Sequence, residues 1–87
     1  MKKQEIIDKV NATIAKKAGV NIDTIKPEIT YQELGIELWL LIEILMEIGN
    51  QFVINISEDK LLNTNTMQDI YNLVGQTIVD IHGFQLY

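Results

Sequence analysis

Glu37-Leu38-Trp39-Leu40-Leu41-Ile42-Glu43-Ile44-Leu45-Met46-Glu47-Ile48-Gly49-Asn50-Gln51 is the most apolar run of this 87-residue sequence, and its reading decides the fold. Its leucines, glutamates and methionine favour helix. At about 100° per residue, Leu41, Ile44, Leu45, Ile48 and, just beyond the run, Phe52 fall on one narrow arc, which makes a core-facing stripe. Glu43, Glu47 and Asn50 point the opposite way. Leu38, Trp39, Ile42 and Met46 lie to one side of the stripe, and together they give more apolar surface than one buried face uses.

Upstream, Ile6, Ile7, Val10, Ile14 and Ala18 mark one face of a helix over about residues 3–18. Gly19 supplies its stop, and Lys16 and Lys17 suit the negative end of its dipole. From Val20 to Ile36 the periodicity is lost around the single proline, Pro27, while Ile22, Ile25, Ile29, Tyr31, Leu34 and Ile36 remain apolar. That composition predicts a long connection pinned down by its own side chains. Downstream, Val53–Ile56 is too short and too isolated to make a sheet. Ser57 is read as the N-cap of a short helix running to about Leu62. Thr66 opens a last helix with Asp69 three residues on, close to a capping box. Ile70, Leu73, Val74, Thr77, Ile78 and Ile81 continue its face, and residues 82–87 are expected to fray or dock lightly. The fold class is therefore all-α: an irregular four-helix bundle of three long helices and one short one, with a long first connection, in a single domain over residues 1–87.

Composition narrows function. With 47% hydrophobic and 22% charged residues the chain is too apolar for a disordered one. It has no cysteine, which excludes disulfides, thiol catalysis and cysteine-held metals, and the single histidine, His82, excludes a multi-histidine site. The basic residues are seven lysines against twelve acids, a net charge of −5, which argues against nucleic acid as a partner. No run is long enough to span a bilayer, and Met1-Lys2-Lys3 turns at once to Gln4-Glu5, unlike a signal peptide, so the cytoplasm is the expected location. Glu43 and Glu47 are four apart, a spacing open to paired carboxylates, but no histidine or motif accompanies them and a solvated helix face is the better reading. His82 is read as exposed, or as a weak partner for the dipole of the last helix.

The order Tyr31-Gln32-Glu33-Leu34-Gly35-Ile36-Glu37-Leu38-Trp39, then Phe52, Ile56-Ser57 and Thr66-Met67, resembles the acyl and peptidyl carrier proteins over nearly the whole chain. That family places an aromatic, two variable residues and Leu-Gly-x-Asp-Ser-Leu at the start of its second helix, and its serine receives a 4′-phosphopantetheine arm. The resemblance puts the attachment position at Leu38, next to Glu37, where no hydroxyl is available to form the phosphodiester. It thus implies that no cofactor is held by this chain. Ser57, the single serine, is nineteen residues on at another helix start. Carrier proteins also present acids along the second helix to basic patches of partner enzymes. Here Glu37, Glu43 and Glu47 remain, while Leu40 and Gly49-Asn50-Gln51 stand where further acids would be. Docking should accordingly lean less on charge steering and more on apolar contact.

The reading this supports is a non-enzymatic, carrier-like module of a fatty-acid, polyketide or peptide biosynthetic system, arm-less at Leu38. It would dock through helix two, with Leu38, Trp39, Ile42, Glu43, Met46 and Glu47 as the partner-binding residues. A biosynthetic enzyme is the expected partner and self-association a further expectation. No catalytic residue or metal site is expected. One alternative is a genuine acyl carrier whose attachment serine is replaced at Leu38 in this chain. Another is an unrelated small helical adaptor or regulator. The resemblance also implies a core able to enclose an acyl chain, which without the arm would bind only weakly.

Overall fold

A computed structural model describes residues 1–83. Four helices follow in order: α1 (Lys3–Ala18), α2 (Leu38–Phe52), α3 (Glu58–Leu61) and α4 (Met67–His82), with a single 3-10 turn at Ile22–Thr24 in the first connection. The expectation for the tail beyond Gly83 falls on residues 84–87, outside the described residues.

Each helix ends where its local chemistry changes. α1 stops at Gly19, whose φ of 69° takes the left-handed turn and lets its N–H donate to the Ala15 carbonyl. α4 opens on a complete capping box: Thr66 Oγ1 accepts from the Asp69 N–H, and Asp69 Oδ2 accepts from the Thr66 N–H at 3.1 Å. Asp69 Oδ2 also accepts from the Asn65 N–H at 2.9 Å. α3 departs from expectation. Ser57 stands at its N-cap, but its side chain makes no capping bond, and the helix is a single turn. Leu61, which is buried, anchors this turn to the core.

The long first connection is held by both packing and hydrogen bonds. Ile25 and Ile36 are buried in the core, whereas Ile22 is exposed. The connection also supplies acceptors to α4: Met67 N–H donates to the Ile29 carbonyl at 2.8 Å and Gln68 N–H to the Pro27 carbonyl at 2.9 Å. Both are donors that the first turn of a helix leaves without intrahelical partners. An isolated antiparallel bridge, Thr30 to Thr66, lies beside them.

The core joins Ile6, Val10 and Ile14 of α1 to Leu41, Ile44, Leu45, Ile48 and Phe52 of α2 and to Ile70, Val74 and Ile78 of α4. Burying each of these large side chains contributes roughly 1.5–3 kcal/mol. The α2 stripe is thereby committed to the interior, and the rest of that helix is left to the surface. No helix among the described residues is long and apolar enough to cross a membrane.

Candidate functional site: the start of α2

α2 begins at Leu38, with Glu37 as its N-cap residue in an extended conformation. The Glu37 carbonyl accepts from the N–H groups of Leu40 and Leu41. Its carboxylate does not cap the helix. It turns instead to the indole: Trp39 Nε1 donates to Glu37 Oε2 at 2.6 Å. The two residues flanking Leu38 are thus bonded to one another across it.

Of the residues expected at a docking face, Leu38 is 39% exposed, Trp39 59% and Met46 66%. Glu43 is exposed as well. Ile42 differs from expectation, being half-buried against the core. It sits closer to the Leu41/Ile44/Leu45/Ile48 arc than Trp39 and Met46 do, and with Leu45, Met46 and Gly49 it lines a groove of about 260 Å³. The far wall of that groove is Ile54, Ile56, Glu58 and Leu61. Glu47 is half-buried on the other flank of α2, where it lines a separate hollow with Lys9, Lys16 and Lys17 of α1. Glu43 and Glu47 therefore serve different surfaces.

Several contacts escaped sequence reading. Gln51 Nε2 donates to Thr13 Oγ1 at 2.9 Å, and Lys9 Nζ lies 5.7 Å from the centre of the Phe52 ring, both joining α1 to the end of α2. His82 is exposed, in the last turn of α4, and its ring also reaches α2. Its Nε2 lies 3.0 Å from the Phe52 carbonyl oxygen and 3.1 Å from that of Val53, and with carbonyls as acceptors this nitrogen carries the proton. The ring therefore satisfies the C-terminus of α2, thirty residues away, which no short-range pattern announces. Val53 itself takes a left-handed conformation, φ 56°, without being glycine.

Among the described residues, two groups are shifted from their ordinary values, and both are on α4. The Thr66 N–H, then that of Asn65, hold the Asp69 carboxyl below its ordinary value. Burial pushes the Tyr71 hydroxyl up, against a hydrogen bond to Asn11 that lowers it. Among the described residues no group of three His, Cys, Asp or Glu side chains could hold a metal ion.

Comparison with known proteins places this geometry. A family model described as a phosphopantetheine attachment site matches residues 8–74. The acyl carrier protein of Chlorobium phaeovibrioides is 35% identical over 75 residues, covering 85% of this chain and 96% of its own. That of onion yellows phytoplasma is 35% identical over 66 residues, covering 75% of this chain and 87% of its own. The crystal structure of an acyl carrier protein from Thermotoga maritima superposes with a TM-score of 0.80 at 22% identity, over 91% of this chain and 93% of that one.

The family's group is 4′-phosphopantetheine, and Glu37, Leu38 and Trp39 at the start of α2 carry no hydroxyl. Leu38 offers only carbon, and Glu37 and Trp39 beside it are bonded to each other. Ser57 opens a different helix. Matched by the attachment-site model over most of its length, and similar in fold and sequence to its curated relatives, the chain belongs to the acyl carrier protein family, a family of carriers and not of enzymes.

Proposed function

We propose that this chain is an arm-less member of the family that acts by docking, through the start and outer face of α2, on an enzyme of fatty-acid, polyketide or peptide biosynthesis in the cytoplasm. One observation carries the reading. At Leu38, where the resemblance puts the attachment serine, the side chain is aliphatic and partly exposed, and it adjoins an exposed Trp39. A carrier that used the arm would need an oxygen nucleophile here; a docking module gains from apolar surface instead. The exposed faces of Glu37 and Glu43 keep some of the family's acidic character beside it.

A second reading, a genuine acyl carrier whose serine is replaced at Leu38, draws on the family match itself. Incubation of this chain beside a Leu38→Ser version with coenzyme A and a phosphopantetheinyl transferase, followed by intact-mass measurement, separates the two: rapid loading of the serine version favours the genuine carrier, slow or absent loading the docking module. The chain is expected to gain no mass. Addition of one arm to the unaltered chain would overturn the proposal.

A further inference from the structure

We infer that α1 carries a separate docking surface, a lysine stripe that receives an acidic helix of a partner protein. Charge is divided unevenly along the chain. Residues 2–17 hold five lysines and two acids, whereas residues 18–87 hold two lysines and ten acids. α1 is therefore a positive element in a chain of net charge −5. Lys9 and Lys16 stand seven residues apart on it, and Lys2 stands seven before Lys9, at the N-cap. Seven residues make nearly two full turns, so the three share one stripe and follow one another at about 10 Å along the axis. All three are exposed.

The stripe borders a hollow where α1 meets α2. Lys9, Lys16 and Lys17 line this hollow, of about 240 Å³, with Glu47 and Gln51. Three ammonium groups there meet a single carboxylate, and among the described residues Glu47 forms no ion pair with any of them. The surplus of positive charge is open to carboxylates from outside. Lys9 is also steadied from below, its Nζ lying 5.7 Å from the centre of the Phe52 ring. Between Lys9 and Lys16 the exposed residue is Ala12, which ends at Cβ and lets the backbone of a second helix come close.

An acidic helix suits this surface better than other anions do. Glutamates or aspartates seven apart on it meet Lys2, Lys9 and Lys16 in register, and a single helix is narrow enough to address the stripe alone. An anionic bilayer or a nucleic acid is broader and would also meet the ten acids of residues 18–87. A second copy of this chain would bring another net charge of −5 and would need a head-to-tail contact.

The test uses the full chain, isotope-labelled, and a synthetic peptide of alanine, glutamine and glutamate, with glutamates at i, i+3, i+7, i+10 and i+14 so that they line one helical face. A control peptide has the same residues scrambled to destroy that line. Amide chemical shifts locate the contact, and their titration gives the affinity. The patterned peptide is expected to bind at low salt, to move signals of α1 together with those of Glu47 and Gln51, and to leave the Trp39 indole N–H in place. Added salt should weaken it, and the scrambled control should bind several-fold less tightly. Lys9→Gln combined with Lys16→Gln should reduce affinity by about tenfold, and Lys26→Gln combined with Lys60→Gln by less than about twofold. All four positions are exposed, so the variants should fold. Equal binding of the scrambled peptide, equal loss in the two pairs of variants, shifts centred on Trp39, or no binding would each overturn the inference. So would binding to phosphatidylglycerol vesicles, or a dimer of the free chain, that the Lys9 and Lys16 substitutions abolish. Loading of an arm enters none of these readouts, so the inference stands or falls apart from the arm-less reading.

Discussion

A Cβ built on Gly49 would lie 2.7 Å from the backbone carbonyl oxygen of Ile54, closer than real Cβ atoms approach. The chain turns back over α2 at this point: the N–H groups of Val53 and Ile54 both donate to the Gly49 carbonyl. Glycine in a helix is usually a liability of about 0.5–1 kcal/mol against alanine. Here the sign should reverse. Gly49→Ala is expected to destabilise by about 1–3 kcal/mol, because a backbone carbonyl must move. Urea denaturation measures it, and an unchanged or raised midpoint would mean that the segment after α2 shifts aside freely.

Val53→Gly should do the opposite. Val53 holds φ 56° and ψ 50°, and the left-handed region is unfavourable for an L-residue by roughly 1–2 kcal/mol. The side chain is exposed, so little burial is lost with it. Glycine returns some of the gain through its more flexible unfolded chain, about 0.4–1 kcal/mol. A net stabilisation of up to about 1 kcal/mol is expected in thermal denaturation, and a lower melting temperature would show that Val53 packs more than its exposure suggests.

What could be read from sequence is what repeats at short range. Leu41, Ile44, Leu45, Ile48 and Phe52 identify themselves as core by spacing alone, and all five are buried. Thr66 and Asp69 announce a capping box because its partners are three residues apart. The Ser57 side chain, read as a cap by the same logic, stands at the N-cap position but makes no such bond. Ile42 lies at the edge of the core arc, where an angular sketch cannot tell surface from groove; the wall that half-buries it comes from Ile54 and Ile56, after the helix has ended. The pairs Gln51–Thr13 and His82–Phe52 join residues thirty or more apart and depend on how the helices dock, which composition and period do not encode.

Acid should loosen the start of α4. The Asp69 carboxyl sits below its ordinary value because the Thr66 and Asn65 N–H groups bond its charged form. A carboxyl with a lowered native value contributes stability above its unfolded value, near 4, and loses it as pH falls through the lowered native one. The native chain should therefore lose stability below about pH 4, and Asp69→Asn should be less stable at neutral pH with a flatter acid limb. Because the group is only half-buried at the surface, solvent screening keeps the effect small. Melting temperatures measured across that range are the check, and parallel acid limbs for the two proteins would sink the assignment.

Restoring a hydroxyl should not restore a carrier. In Leu38→Ser the new side chain would stand between Glu37 and Trp39, which are hydrogen-bonded to one another, and Leu40 would still replace an acid of the family's pattern. Transferase treatment of Leu38→Ser is expected to load the arm slowly, with Trp39→Leu added to the same variant loading faster. Loading of the single variant at the rate of an ordinary carrier would show that the neighbours do not matter.

The indole at the centre of these arguments can be watched directly. Trp39 is the sole tryptophan and is 59% exposed, so the free chain should emit to the red and be quenched efficiently by acrylamide, which is neutral. Iodide should behave differently. The Glu37 carboxylate is bonded to the ring nitrogen at 2.6 Å, and Glu43 lies one turn along the same helix, so an anion approaches against like charge. That field is screened over about 10 Å at 0.1 M salt, so iodide quenching should rise with ionic strength while acrylamide quenching stays constant. Glu37→Gln should raise iodide quenching at low salt and leave acrylamide quenching nearly unchanged, because it removes the charge and keeps a side-chain oxygen to accept the indole N–H. Equal iodide quenching in both proteins at low salt would mean that Glu37 does not guard the ring. A blue emission resistant to acrylamide would place Trp39 in the interior and remove it from the docking face.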